Sequence, residues 1–252
     1  DASSDQVEKA KKRIASSAEK LFEKNKITTT QKENIHSQIN YLTDLSKLEQ
    51  VDLVIEAISE DKEAKKNLWH QLDEVQAKET IFASNTSSIS ITELAASTSR
   101  PSQFIGMHFM NPVPLMKLVE VIPGLATDQK VSERICLLAK TCGKVVTTSQ
   151  DSPGFIINRI LMPMINEAFT TWQEGVASPE NIDIAMTLGT NQPMGPLALA
   201  DFIGLDTCLS ILEVLHSNLG DPRYRPCPKL RQYVQAGWLG KKTNRGVYTY
   251  KK

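Results

Sequence analysis

Glycine is missing from the first 105 residues; Gly106 is the first of the 12 in this 252-residue chain. That stretch therefore holds no glycine-rich strand-to-helix turn of the kind that brings backbone N–H groups against a phosphate. Net charge is missing too: 29 basic and 29 acidic residues cancel, which removes the electrostatic case for nucleic acid or an anionic membrane as partner. No apolar run approaches the ~20 residues of a membrane-spanning helix, and no segment has the make-up of a secretory signal. The four cysteines, Cys136, Cys142, Cys208 and Cys227, lack zinc-ligand spacing. They read as reduced thiols of an intracellular protein.

What is present is ordinary globular material, 40% hydrophobic and 23% charged. Ser3 or Ser4 can cap a first helix in which Val7, Ala10, Ile14, Ala18 and Leu21 share one stripe. A second helix is expected over Thr29–Leu42, pairing with the first as a hairpin. Asp52–Ile58 is a buried strand interrupted by Glu56, which needs a partner. A helix over Asp61–Gln76, a strand at Thr80–Ala83, the polar Ser84–Ser88 turn and helices at Ile91–Ala96 and Val131–Cys142 follow, with Gly143–Thr148 as a last strand. Strands alternating with helices at this pitch predict an α/β domain with a largely parallel sheet. Ligands of such sheets bind beyond the carboxyl ends of the strands. Ser59-Glu60, Asn85–Ser88, His108 and Pro123-Gly124 are expected at those ends. After Gln150 the pattern turns all-helical: Pro153 and Gly154 break the chain, and a long helix apolar on several faces is expected from Phe155, with Pro163 inside it.

The segment Phe104–Pro123, FIGMHFMNPVPLMKLVEVIP, carries the chemistry. Two apolar strands flank a loop, and each holds one misfit, His108 and Glu120. Leu118, Glu120 and Ile122 share a strand face, so the carboxylate points where an apolar group belongs. It is costly there unless paired, and His108 is the nearest partner. A carboxylate that fixes an imidazole tautomer leaves the other ring nitrogen free to exchange a proton. Taken alone, the two residues favour a structural His beside a capping Glu; the residues that flank them reverse that reading.

HFMNPVPLMKLVEVI resembles the catalytic segment of the 3-hydroxyacyl-CoA dehydrogenases, nearest to their short-chain, 3-hydroxybutyryl-CoA branch. The likeness extends to VIEAISE (residues 54–60), FASNTSSI (82–89), DSPGFIINR (151–159) and the tail GKKTNRGVY (240–248), where Asn244 replaces a glycine. Asn tolerates positive φ better than most residues, so that exchange is mild. The resemblance implies NAD as cofactor, an acyl-CoA substrate and a homodimer built through the C-terminal region. It further implies His108 as general acid/base, Glu120 as its orienting partner, and Ser87 and Asn158 as groups holding the reacting oxygen, with Ser87 also against the nicotinamide. Asn111 would wall the nicotinamide side, Glu60, Lys65 and Lys242 would contact the dinucleotide, and Ser17 and Lys24 would contact coenzyme A. For Lys24 and Lys65 plain solvent exposure is the competing reading.

Members of that family open with a strand, a G-x-G-x-x-G turn and a helix, then a second strand ending in an acid that binds the adenine ribose. Asp1 aligns with that acid. The expectation is therefore a truncated Rossmann-type domain over residues 1–150, lacking the first β-α-β unit, followed by an all-α substrate and dimerisation domain over 151–252. Weak NAD binding and low activity are expected of such a chain. A homologue that keeps the scaffold without catalysis is the alternative reading.

Overall fold

The computed structural model describes residues 1–251. By contact density the chain divides into two units, residues 1–52 with 71–80, and residues 53–70 with 81–252. In the first unit, α1 (Ser4–Glu23) is capped by Ser3, whose hydroxyl accepts from Gln6 N. The helix α2 (Thr29–Ser37) starts on a capping box, in which Thr28 accepts from Gln31 N and the Gln31 side chain accepts from Thr28 N. The helix stops at Ser37, five residues short of the expected Leu42: Ile39 keeps helical spacing in the sequence but lies beyond the last hydrogen-bonded turn. The two helices pack as the predicted pair, with Lys32 Nζ 2.5 Å from Glu19 Oε2 and 4.8 Å from the Phe22 ring centre.

The second unit holds a five-stranded sheet, β1 (Leu53–Glu56), β2 (Ile81–Ser84), β3 (Phe104–Phe109), β4 (Leu118–Pro123) and β5 (Val145–Thr148), in that spatial order. β1, β2 and β3 are parallel, β4 runs antiparallel to β3, and β5 is parallel to β4. The helices α3 (Lys62–Val75), α4 (Ile91–Ala95) and α5 (Gln129–Thr141) connect them. Side-chain alternation divides the sheet into two faces. On one, Ile81, Ala83, Ile105, Met107, Val119 and Val121 pack with Val131, Ile135 and Ala139 of α5. On the other, Phe82 and Phe104 each lie 4.9 Å from the Trp69 ring centre. Gly106 falls on this second face because α4 presses against it: a Cβ there would sit 2.8 Å from Ile91 Cδ1 and 3.0 Å from Ile122 Cβ.

Antiparallel β4 corrects one expectation. Its end at Pro123 pairs with Ile105, near the start of β3, whereas His108 pairs with Glu120. Pro123-Gly124 therefore lies at the opposite end of the sheet from the carboxyl ends of β1, β2 and β3.

The helical region comprises α6 (Ile157–Gln173), α7 (Pro179–Gly189), α8 (Pro196–Ile203), α9 (Leu205–Leu219) and α10 (Pro228–Gln235), around a core that includes Phe169, Leu197, Leu205, Leu212, Leu215 and Leu230. α10 is an element the hydrophobic periodicity did not reveal. α6 begins two residues later than expected, because Gly154 (φ 76°) and Phe155 (φ 48°) form a left-handed turn ahead of it. It runs on through Pro163 as one helix. Asp183 and Asp201 fasten the C-terminal tail. Asp183 accepts from Leu197 N, Ala198 N and Tyr248 OH, and Asp201 accepts from Val247 N, Tyr248 N and Tyr250 OH. Asn244 sits at φ 58°, the left-handed conformation a glycine would take.

Candidate active site

His108 and Glu120 are direct cross-strand partners, and the register alone brings them together. Glu120 Oε2 lies 2.8 Å from His108 Nδ1. Glu120 is fully buried and His108 is 6% exposed. A carboxylate so deep needs further donors. Oε1 finds them at the start of α6, accepting from Ile156 N at 3.0 Å and Ile157 N at 3.1 Å. These N–H groups have no partner within their own helix, and the helix N-terminus favours negative charge. The structure thus fixes the imidazole by Nδ1 and leaves Nε2 for chemistry. Phe155, in the left-handed turn, sets its ring 5.8 Å from the imidazole centre.

The turn after β2 supplies the neighbouring polar groups. Asn158, on the first turn of α6 and 7% exposed, donates from Nδ2 to Ser87 O at 3.1 Å. The Ser87 hydroxyl takes no hydrogen bond among the described residues. Asn85 Oδ1 accepts from Phe109 N at 2.8 Å, which ties this turn to the residue after His108. Glu60 Oε1 accepts from Thr86 Oγ1, Ser87 N, Ser88 N and Ser88 Oγ at 2.6–3.2 Å. Lys65 is not solvent-exposed at all. Its Nζ is 2.6 Å from Glu56 Oε1 and 3.5 Å from Glu60 Oε2, so it is the partner Glu56 required.

The remaining predicted residues lie apart from this cluster in their contacts. Lys242 pairs with Asp206 at 2.6 Å, in the first turn of α9. Asn111 is exposed in the loop between β3 and β4. Ser17 is half-buried and Lys24 exposed on or just after α1, in the first unit, where the Asp1 amine donates to Leu42 O and Asp1 Oδ1 accepts from Ser3 N. Sequence reasoning missed Phe155, Thr86 and the Asp151 role. Asp151 caps α4, accepting from Ile91 N, Thr92 N and Ser90 Oγ at 2.7–2.9 Å. The DSPGF and NTSS motifs were the available signals.

A buried His–Glu pair beside the carboxyl ends of parallel strands, facing the first turn of a helical region, defines an α/β enzyme of acid–base chemistry. The family comparisons narrow the class. The NAD-binding domain of the 3-hydroxyacyl-CoA dehydrogenases matches residues 1–152, and their C-terminal domain matches residues 154–250. A probable 3-hydroxybutyryl-CoA dehydrogenase of Bacillus subtilis is 56% identical over 97% of this chain and 84% of its own length. The mitochondrial hydroxyacyl-coenzyme A dehydrogenase of Sus scrofa is 43% identical over all of this chain and 82% of its own length. The crystal structure of (S)-3-hydroxybutyryl-CoA dehydrogenase from Ralstonia eutropha superposes with a TM-score of 0.96 at 50% identity, over all of this chain and 89% of that one. The chain belongs to the 3-hydroxyacyl-CoA dehydrogenase family, oxidoreductases that act on a CH–OH group with NAD. The NAD-binding match starts at residue 1, so the expected lack of a first β-α-β unit is not supported.

At the strand ends, Ser87 lies in the turn after β2 and the dyad on β3 and β4, polar groups of the kind a nicotinamide cofactor and its substrate would need. Residues 1–105 hold no glycine for a phosphate turn.

Proposed function

We propose that the chain interconverts a short-chain 3-hydroxyacyl-CoA, of the 3-hydroxybutyryl-CoA class, and the matching 3-oxoacyl-CoA. The observation that carries this reading is the 2.8 Å His108–Glu120 contact inside the sheet. NAD, when bound, supplies the acceptor for the hydride that leaves C3. His108 Nε2 takes the 3-hydroxyl proton, and Glu120 stabilises the imidazolium that forms and holds its Nδ1 proton. In reduction His108 returns the proton. The Ser87 hydroxyl and the Asn158 amide hold the reacting oxygen. The substrate's four-carbon length rests on the bacterial relatives named above.

Ser17 and Lys24 are the proposed coenzyme A contacts, and Asp1, Glu60, Asn111 and Lys242 the proposed NAD contacts. For Lys65 the reading changes: a fully buried ammonium held by two carboxylates acts on the cofactor only through Glu60. A domain boundary near residue 150 is supported by the change of family domain between 152 and 154. A homodimer through the helical region is supported by Ile160 of α6 and Ile184 and Leu188 of α7, which are 67%, 55% and 80% exposed. The reaction is tested by following NADH consumption with acetoacetyl-CoA and longer 3-oxoacyl-CoAs. Turnover highest with the four-carbon substrate is expected; no turnover with any acyl length would refute the assignment.

A further inference from the structure

We infer that Glu56 and Thr86 are positioning residues for the reaction, acting on Ser87 through Glu60 without touching substrate. The inference rests on the function proposed above, in which the Ser87 hydroxyl meets the reacting oxygen. Ser87 is gripped from both sides of its backbone: its N–H donates to Glu60 Oε1 at 2.8 Å, and its C=O accepts from Asn158. Glu60 is the hub of the grip, since one of its oxygens collects four donors from residues 86–88.

The donors of the turn occupy only Oε1, and the side chain is 38% exposed, so Oε2 needs an anchor of its own. The anchor lies beneath it. Lys65 Nζ reaches Glu60 Oε2 at 3.5 Å and is itself bound by Glu56 Oε1 at 2.6 Å. Glu56 is completed by Ser84 Oγ at 2.6 Å and Ile58 N at 2.8 Å. A buried ammonium between two carboxylates is a poor source of stability, because the desolvation cost offsets most of the attraction. What it gives is fixed geometry: every oxygen has one place to be. Thr86 closes the network. Its hydroxyl donates to Glu60 Oε1 at 2.6 Å and accepts from Ile89 N at 2.9 Å and Ser88 N at 3.3 Å. A valine there keeps the shape and loses all three bonds.

The test compares wild type with Thr86→Val, Thr86→Ser and Glu56→Gln, by amide hydrogen exchange of the unliganded protein and by steady-state kinetics. In Thr86→Val the amides of Ser87, Ser88 and Ile89 should exchange about tenfold faster or more, and kcat should fall by a similar factor with KM for the acyl-CoA within about twofold. Thr86→Ser should restore both readouts. Glu56→Gln should speed exchange at the same amides, although its side chain touches none of them. Unchanged exchange in Thr86→Val, or faster exchange with wild-type kcat, would overturn the inference. A wild type without turnover would refute the proposed reaction instead and leave the exchange data to decide the tether.

Discussion

A carboxylate with no solvent exposure survives only when each of its oxygens is satisfied, and Glu120 meets that condition with one imidazole and two backbone N–H groups. This makes the two members of the dyad fail differently. His108→Gln should lower kcat by about 10²–10⁴-fold, the usual contribution of a general acid/base, with little change in KM or stability. Glu120→Gln should also lower kcat, because its amide N–H turns Nδ1 into an acceptor and fixes the wrong tautomer. It should destabilise the fold by about 1–3 kcal/mol, because a neutral oxygen replaces the carboxylate that accepts from two buried N–H groups. Steady-state kinetics paired with urea unfolding separates the two. Equal stability losses in both variants would contradict this division of roles.

At the scale of elements, the junction between β5 and α6 decides whether the site forms. Asp151 caps α4, Gly154 and Phe155 turn the chain through the left-handed region, and the next two N–H groups land on Glu120. Gly154 has no room for a side chain: a Cβ would lie 2.9 Å from Leu215 Cδ2 and 3.0 Å from Arg159 N, at a φ of 76° that L-residues rarely adopt. Gly154→Ala should cost about 1–3 kcal/mol and reduce kcat as well, by shifting the donors that hold Glu120. Chemical denaturation and initial rates measure both. Full stability with full activity would mean that the turn tolerates a side chain and does not set the site.

For the whole molecule, two features invite measurement. The first is the exposed apolar set Ile160, Ile184 and Leu188. In the proposed homodimer, Leu188→Lys combined with Ile160→Lys should shift wild-type dimer to monomer in sedimentation velocity at micromolar concentration; a monomeric wild type would refute the dimer, and an unchanged variant dimer would place its interface elsewhere. The second is the tail clamp. Burial, and then hydrogen bonds to Asp183 and Asp201, push the Tyr248 and Tyr250 hydroxyls above their ordinary value of 10.0. A group raised in the folded state contributes stability that is complete below its unfolded value and is lost as pH rises through the folded one. The melting temperature of wild type should therefore exceed that of Tyr248→Phe/Tyr250→Phe up to about pH 10, and the gap should narrow above it. A gap constant to pH 11 would contradict the clamp.

Local pattern alone determined a good deal here. Period-two alternation placed Glu120 on an interior face, the apolar stripe of α1 followed from helical spacing, and a charge in a buried strand showed that Glu120 needed a partner; the catalytic role of the pair came from the resemblance of the whole segment. Chain direction and long-range pairing were not local properties, and only the tertiary structure decided them. Antiparallel β4 moved Pro123-Gly124 away from the site while bringing Glu120 opposite His108. Lys65 reads as a cofactor contact or an exposed lysine until folding places it under Glu56 and Glu60, nine and five positions away in sequence. The donors on Glu120 come from 36 and 37 residues further along, where backbone N–H groups carry no side-chain signal at all. Sequence names the groups that need partners; which partners they find depends on contacts between segments that local periodicity does not encode.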